Sequence, residues 1–215
     1  MDSLIKFCEP KYEVSDYIYE FFNTISNIPF IVVAYLNYDK NKKNKYAYIS
    51  LSSVGFGSLL LHGTGNYYGE MIDEVSMLIF VYTTLCLYEE YVKKQNLMIY
   101  NIVFLSMYIV FKIHLIFLVI FGSQVAYLMY VNYHSTKNNY LSRIYSIYSF
   151  CIFVTGKILW DLEQNFCDTY PSFKWFHPIW HIFSCTASFL VLKSNEIYLK
   201  MNLKKNNSYK IILVE

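Results

Sequence analysis

Apolar residues run in stretches of about 16–20 along nearly the whole chain, and short polar clusters separate them. Seven of these stretches are predicted as helices: residues 17–38, 46–61, 71–88, 97–111, 114–133, 144–160 and 175–192. Each is close to the length needed to cross a bilayer, and the alternating pattern of a membrane β-barrel is absent. The fourth and fifth are nearly fused, with only Lys112 and its neighbours between them. No internal repeat or second domain interrupts the pattern. The expected fold is an all-α, seven-transmembrane-helix bundle over residues 17–193. A tail of residues 1–16 precedes it, and a polar, frayed tail of residues 194–215 follows.

Loop charge tests the count. With seven spans, one side of the membrane receives Lys40, Lys42, Lys43, Lys45, Lys93, Lys94, Lys137, Arg143, Lys193, Lys200, Lys204, Lys205 and Lys210. The other receives Lys6, Lys11, Lys112, Lys157 and Lys174. The positive-inside rule then puts the C-terminus in the cytosol and the N-terminus in a lumen or outside. Met1 to Tyr12 lacks an apolar core region, so no cleavable signal peptide is expected and the first span does the targeting.

Composition agrees. Hydrophobic residues make up 55% of the chain and charged residues 16%, against nearer a quarter charged in a soluble domain. The formal charge of +2 comes with no basic cluster suited to nucleic acid, so the expected partner is the lipid bilayer.

Against this apolar background the ionisable groups stand out, because charge at a membrane-spanning segment is costly and points to function. Ser58 and His62 are one turn apart at the end of the second helix. Asp73 opens the third, and His177 and His181 share a face at the start of the seventh, continued by Ser184 and Ser188. The topology puts all of them at the lumenal end. Three imidazoles leave a fourth zinc position open, as in catalytic rather than structural sites. Asp73 is then the candidate general base, and Ser58 the candidate donor to a developing oxyanion. The bland alternative is a set of interfacial histidines capping helix ends. That alternative is the reading for His114 and His134, which have no such company.

Glu20, Asn23, Thr24 and Asn27 form one stripe at the start of the first helix, with Glu9 ahead of them. Such a stripe can hold a hard cation, or serve as a hydrogen-bonded seam between helices. Asp161 and Glu163 either complete a polar network or are solvated. Cys86, Cys151 and Cys185 fall inside spans and are expected to be buried packing residues. Cys8 and Cys167 both fall on the lumenal side, where an oxidising compartment permits a disulfide. Tyr17, Tyr19, Tyr67, Tyr68, Trp160 and Trp175 read as interfacial anchors.

These residues resemble the alkaline ceramidases, seven-helix intramembrane amide hydrolases. Cys8-Glu9 followed by Tyr17-Ile18-Tyr19-Glu20-Phe21-Phe22-Asn23-Thr24-Ile25-Ser26-Asn27 is similar to that family's opening. So are Gly55-Phe56-Gly57-Ser58-Leu59-Leu60-Leu61-His62, Asp73-Glu74, Trp160 to Cys167, and His177-Pro178-Ile179-Trp180-His181, in order along nearly the whole chain. The resemblance implies zinc on His62, His177 and His181, with Asp73 handling water and Ser58 assisting at the carbonyl. It implies a ceramide substrate cleaved to a sphingoid base and a fatty acid, in an endoplasmic reticulum or Golgi membrane.

The family's calcium site is matched here only at Glu9 and Glu20. Lys6 and Lys11 stand where Asp and Asn are expected, and Phe7 where Trp is. An ammonium repels a cation, so the calcium site is degenerate, and a lysine paired with Glu20 could replace the ion's charge. The alternatives are a related seven-helix hydrolase acting on another lipid amide or ester, or a receptor-like protein with a structural metal. The intact Asp73 and the open zinc position weigh against the receptor.

Overall fold

In the computed structural model, the first predicted helix is broken in two. The structure describes residues 2–39, 42–111 and 113–212, with the backbone alone for Phe104 and residues 202–212. α1 spans Phe21–Ile25 and α2 spans Ile28–Asn37. Pro29 is the cause: it has no N–H to give to Ile25, and its ring crowds that carbonyl. The helical ladder therefore stops at Ser26 and Asn27.

The other six predicted helices are continuous: α3 Lys45–Thr64, α4 Tyr67–Leu85, α5 Lys94–Phe111, α6 His114–Ser135, α7 Tyr140–Phe166 and α8 Phe176–Ile212. A 3₁₀ turn over Pro171–Trp175 leads into α8. Counting the broken α1–α2 as one, the fold is all-α with seven helices, and no strand occurs among the described residues. α5 and α6 separate where the sequence places their boundary; Lys112 itself lies outside the described residues.

α3 and α4 form a tight antiparallel pair. Gly65 ends α3 in the left-handed region (φ 62°), where a side chain would also strike the Tyr19 ring. The Asn66 side chain caps α4 by accepting from the Gly69 N–H at 2.8 Å. A Cβ on Gly57 would lie 2.8 Å from the Asp73 Cα. This backbone contact fixes Ser58 and His62 of α3 against Asp73 of α4.

α7 and α8 also pack along their length, whereas α6 meets α4 well and α7 and α8 sparsely. The space left beside α6 is a cavity of 830 Å³. The main apolar core, built around Tyr48, Leu51, Leu85, Val131 and Leu192, fills the half of the bundle farther from the histidines.

α8 does not end near Lys193 as expected but runs on to Ile212. The first polar residues past Lys193 are paired. Ser194 is buried against Ser142 and Asn132, and Glu196 accepts from Tyr48 at 3.0 Å and from Lys193 at 2.9 Å. Polarity misled here because buried partners satisfy it.

Among the described residues, only His114–Ser135 is both long and apolar enough to cross a membrane by composition alone. The other helices carry inward polar side chains such as Ser58, His62, Asp73 and Glu163, which dilute their apolar character.

The cysteines and aromatics depart from expectation in detail. Cys185 is buried, but Cys86 is half-buried and Cys151 is exposed on the outer face. Tyr17 and Tyr68 are exposed, as surface anchors should be, while Tyr67 is buried and Trp160 stacks on Trp180 beside the cavity.

A candidate metal centre beneath the N-terminal segment

His62 ends α3, and His177 and His181 occupy successive turns at the start of α8. All three are buried and converge, with ring centroids 4.5 to 5.0 Å apart. One ligand nitrogen from each lies within 4.8 Å of the others.

The outward face of each ring has a protein partner. His62 Nδ1 lies 2.7 Å from Glu20 Oε2. His181 Nδ1 lies 2.7 Å from Ser26 Oγ, whose own hydroxyl donates to the Asn23 carbonyl. His177 Nδ1 lies 3.4 Å from Glu163 Oε2 without forming a hydrogen bond. The Glu20 carboxylate can only accept, so His62 carries its proton on Nδ1 and leaves Nε2 bare.

His62 Nε2 and His177 Nε2 then face each other at 3.2 Å. With both rings protonated on Nδ1, the two lone pairs at that distance repel unless a cation sits between them, and 3.2 Å suits two nitrogens on one ion. The donor set therefore fits a metal ion, and three imidazoles with acceptors behind them suit zinc. The break in the first helix also finds a use, since it brings Ser26 to His181. Glu20→Gln should weaken zinc affinity by roughly 10–100-fold, because an amide no longer fixes the His62 tautomer. A competitive zinc titration checks this, and unchanged affinity would remove Glu20 from the centre.

Asp73 and Ser58 line the same cavity as the histidines, and both are buried. Asp73 Oδ1 has no hydrogen-bond partner among the described residues. Ser184 and Ser188 continue the His181 face along the cavity wall. Beyond this polar end the lining is mostly apolar, with Phe80, Phe121, Phe150, Phe153 and Trp180 among the larger side chains and Ser146 and Lys157 among the polar ones.

The N-terminal segment closes the site. Phe7 packs its ring on His62 at 4.6 Å and on His177 at 4.4 Å. A Cys8–Cys167 disulfide bolts it to the end of α7, with Cα atoms 5.5 Å apart. Glu163 accepts from the Cys8 N–H at 2.6 Å. Asp161, by contrast, is exposed and pairs with Lys157.

The expected calcium remnant is put to other uses. Glu9 accepts from the N–H groups of Phe22 and Asn23, at 2.6 and 2.7 Å, and caps α1. Glu20 holds His62 and accepts from Asn23 at 3.0 Å. Neither pairs with a lysine: Lys11 lies 4.8 Å over the Tyr19 ring instead. With both carboxylates engaged by N–H donors and lysines at positions 6 and 11, the residues do not fit calcium.

His114 also differs from its expected isolation: its Nδ1 lies 2.7 Å from Glu74 Oε1. His134 is exposed and stacks near Tyr130, at 4.3 Å. Sequence reasoning missed Ser26, Phe7 and the pairing of His114. Pro29 inside a helical pattern was the available signal for Ser26; no local pattern marks the other two.

Comparison with known proteins agrees with this geometry. A family model described as Ceramidase matches residues 1–214. The chain is 28% identical to alkaline ceramidase 3 of Mus musculus, over 87% of this chain and 80% of that one. It is 28% identical to an alkaline ceramidase of Arabidopsis thaliana, over 88% and 83%. It is 21% identical to alkaline ceramidase 1 of Homo sapiens, over 84% and 76%. The match runs through every helix that carries the buried histidines, and the chain belongs to the alkaline ceramidase family of seven-helix membrane proteins.

Proposed function

We propose that this chain is a zinc-dependent ceramidase that hydrolyses the amide bond of ceramide to a sphingoid base and a free fatty acid. The observation that carries the reading is the join of two features. Three inward imidazoles meet at one end of a cavity whose remaining wall is mostly apolar. A lipid amide has the same division, with a polar reacting group and long hydrocarbon chains. The relatives' names supply the substrate class.

His62, His177 and His181 would hold the ion, which supplies Lewis acidity at the carbonyl and a water acidified to near neutrality. Asp73 Oδ1 takes the water's proton and passes it to the departing nitrogen, so the C–N bond breaks while oxygen adds to the acyl carbon. Ser58 donates a hydrogen bond to the carbonyl oxygen as it gains charge. Glu20 holds the His62 ring in one tautomer. Phe7 and the disulfide-anchored segment shield the centre from bulk water. The sparse contact of α6 with α7 leaves a lateral way in from the bilayer for the hydrocarbon chains.

The charge asymmetry supports a lumenal site and a cytosolic C-terminus, in an endoplasmic reticulum or Golgi membrane. The test is release of fatty acid from labelled ceramides of several acyl lengths by the purified protein in detergent. Turnover should vanish on chelation and return with zinc. Bound zinc without cleavage of any ceramide would replace the substrate; turnover indifferent to chelation would replace the metal.

A further inference from the structure

Flanking Asp73 on α4, three residues before it and one after, are two members of a second group of ligand-type side chains. Glu70 and Glu74 are fully buried, at 0% and 2% exposure, and His114 at the start of α6 is 24% exposed. One ligand atom from each lies within 4.8 Å of the others. None of the three belongs to the three-histidine centre.

The hydrogen bonding of this group is half complete. Glu70 Oε2 accepts from the Leu4 N–H, and Glu74 Oε1 meets His114 Nδ1 at 2.7 Å. Glu70 Oε1 and Glu74 Oε2 are buried with no hydrogen-bond partner among the described residues. Among the described residues, His114 is the one basic side chain within ion-pair distance of either carboxylate. Two buried carboxylates against at most one imidazolium leave negative charge uncompensated, and Asp73 between them adds to it. Burial of unpaired charge is strongly unfavourable, so such a group takes up a cation or a proton.

We propose that Glu70, Glu74 and His114 form a second divalent-metal site, for an ion of the zinc class. The imidazole decides the class: calcium prefers oxygen ligands alone, whereas a mixed nitrogen and carboxylate set suits first-row transition ions. The partly exposed side at His114 admits water to complete the coordination. The ion would tie together three segments: the N-terminal strap through Glu70 and Leu4, α4 through both glutamates, and α6 through His114. It would give the strap bearing Phe7 a second anchor, through Leu4, besides the Cys8–Cys167 disulfide.

The test is zinc content of the purified full-length chain after equilibrium dialysis against micromolar zinc, with elemental analysis. Wild type should hold two zinc ions per chain. Glu70→Gln and His114→Ala should each hold one, and His181→Ala should also hold one, from the other site. Glu70→Gln combined with His181→Ala should hold none. A wild-type content of one ion that disappears in His181→Ala overturns the proposal while leaving the three-histidine centre intact. So does a content of two that Glu70→Gln and His114→Ala leave unchanged. The wild-type count needs no variant to fold, and protonated carboxylates paired with His114 are the alternative it would expose.

Discussion

Asp73→Asn is expected to keep its zinc and lower kcat by about 10²–10⁴-fold, the range for loss of a positioned acid–base group. The substitution is nearly isosteric, which matters at this position. The Asp73 backbone lies against Gly57 with no room to move, so a larger change would disturb the α3–α4 contact as well as the chemistry. An amide oxygen cannot take a proton from water, whereas the carboxylate Oδ1 is buried, unpartnered and free to do so. The same loss should appear in kcat and in kcat/KM, because the proton moves in the transition state and not on binding. Steady-state kinetics with ceramide, beside elemental zinc content, checks both halves. An asparagine variant that turns over at the wild-type rate would remove Asp73 from the chemistry. One that loses zinc together with activity would make it a ligand instead.

The parts of the candidate site that could be read in the sequence are those with local periodicity. Ser58 with His62, and His177 with His181, sit four apart, which puts each pair on one helix face whatever the tertiary fold. The alternation of lysine-rich and lysine-poor loops then put both pairs and Asp73 at one end of the bundle. What could not be read depends on contacts across the chain. Glu20 could be read either as a cation ligand or as part of a hydrogen-bonded seam, because its neighbours on the stripe are amides; its use became visible only when the end of α3 brought His62 to it. His114 looked solitary because Glu74 is forty residues away. α8 looked complete at residue 192 because Ser194 and Glu196 are polar, and only the facing Ser142 and Tyr48 make that polarity compatible with a buried helix. Periodicity reports which side chains share a face, and it carries no information on what another helix offers in return.

His181→Ala carries the other large expectation: loss of the three-histidine ion and, with it, of measurable ceramide turnover. His181 is the ligand set across the break in the first helix, and Ser26 can orient no other ring. Without its imidazole, two nitrogens remain, and those two face each other at 3.2 Å as bare lone pairs. Affinity should therefore fall well beyond the roughly 10–100-fold expected when an outer partner such as Glu20 is altered. The fold should survive, because the main apolar core around Tyr48, Leu51 and Leu85 lies in the other half of the bundle. Competitive zinc titration, with circular dichroism as the control for folding, separates these outcomes. A folded variant that binds zinc at the centre as tightly as wild type would show that His62 and His177 suffice, and the open-site geometry that makes this a hydrolase candidate would have to be abandoned. Comparing the two variants then tests the division of labour itself. Asp73→Asn should lose chemistry and keep the ion, His181→Ala should lose the ion first and the chemistry as a consequence, and only a centre in which the metal and the proton acceptor are separate residues produces that pair of results.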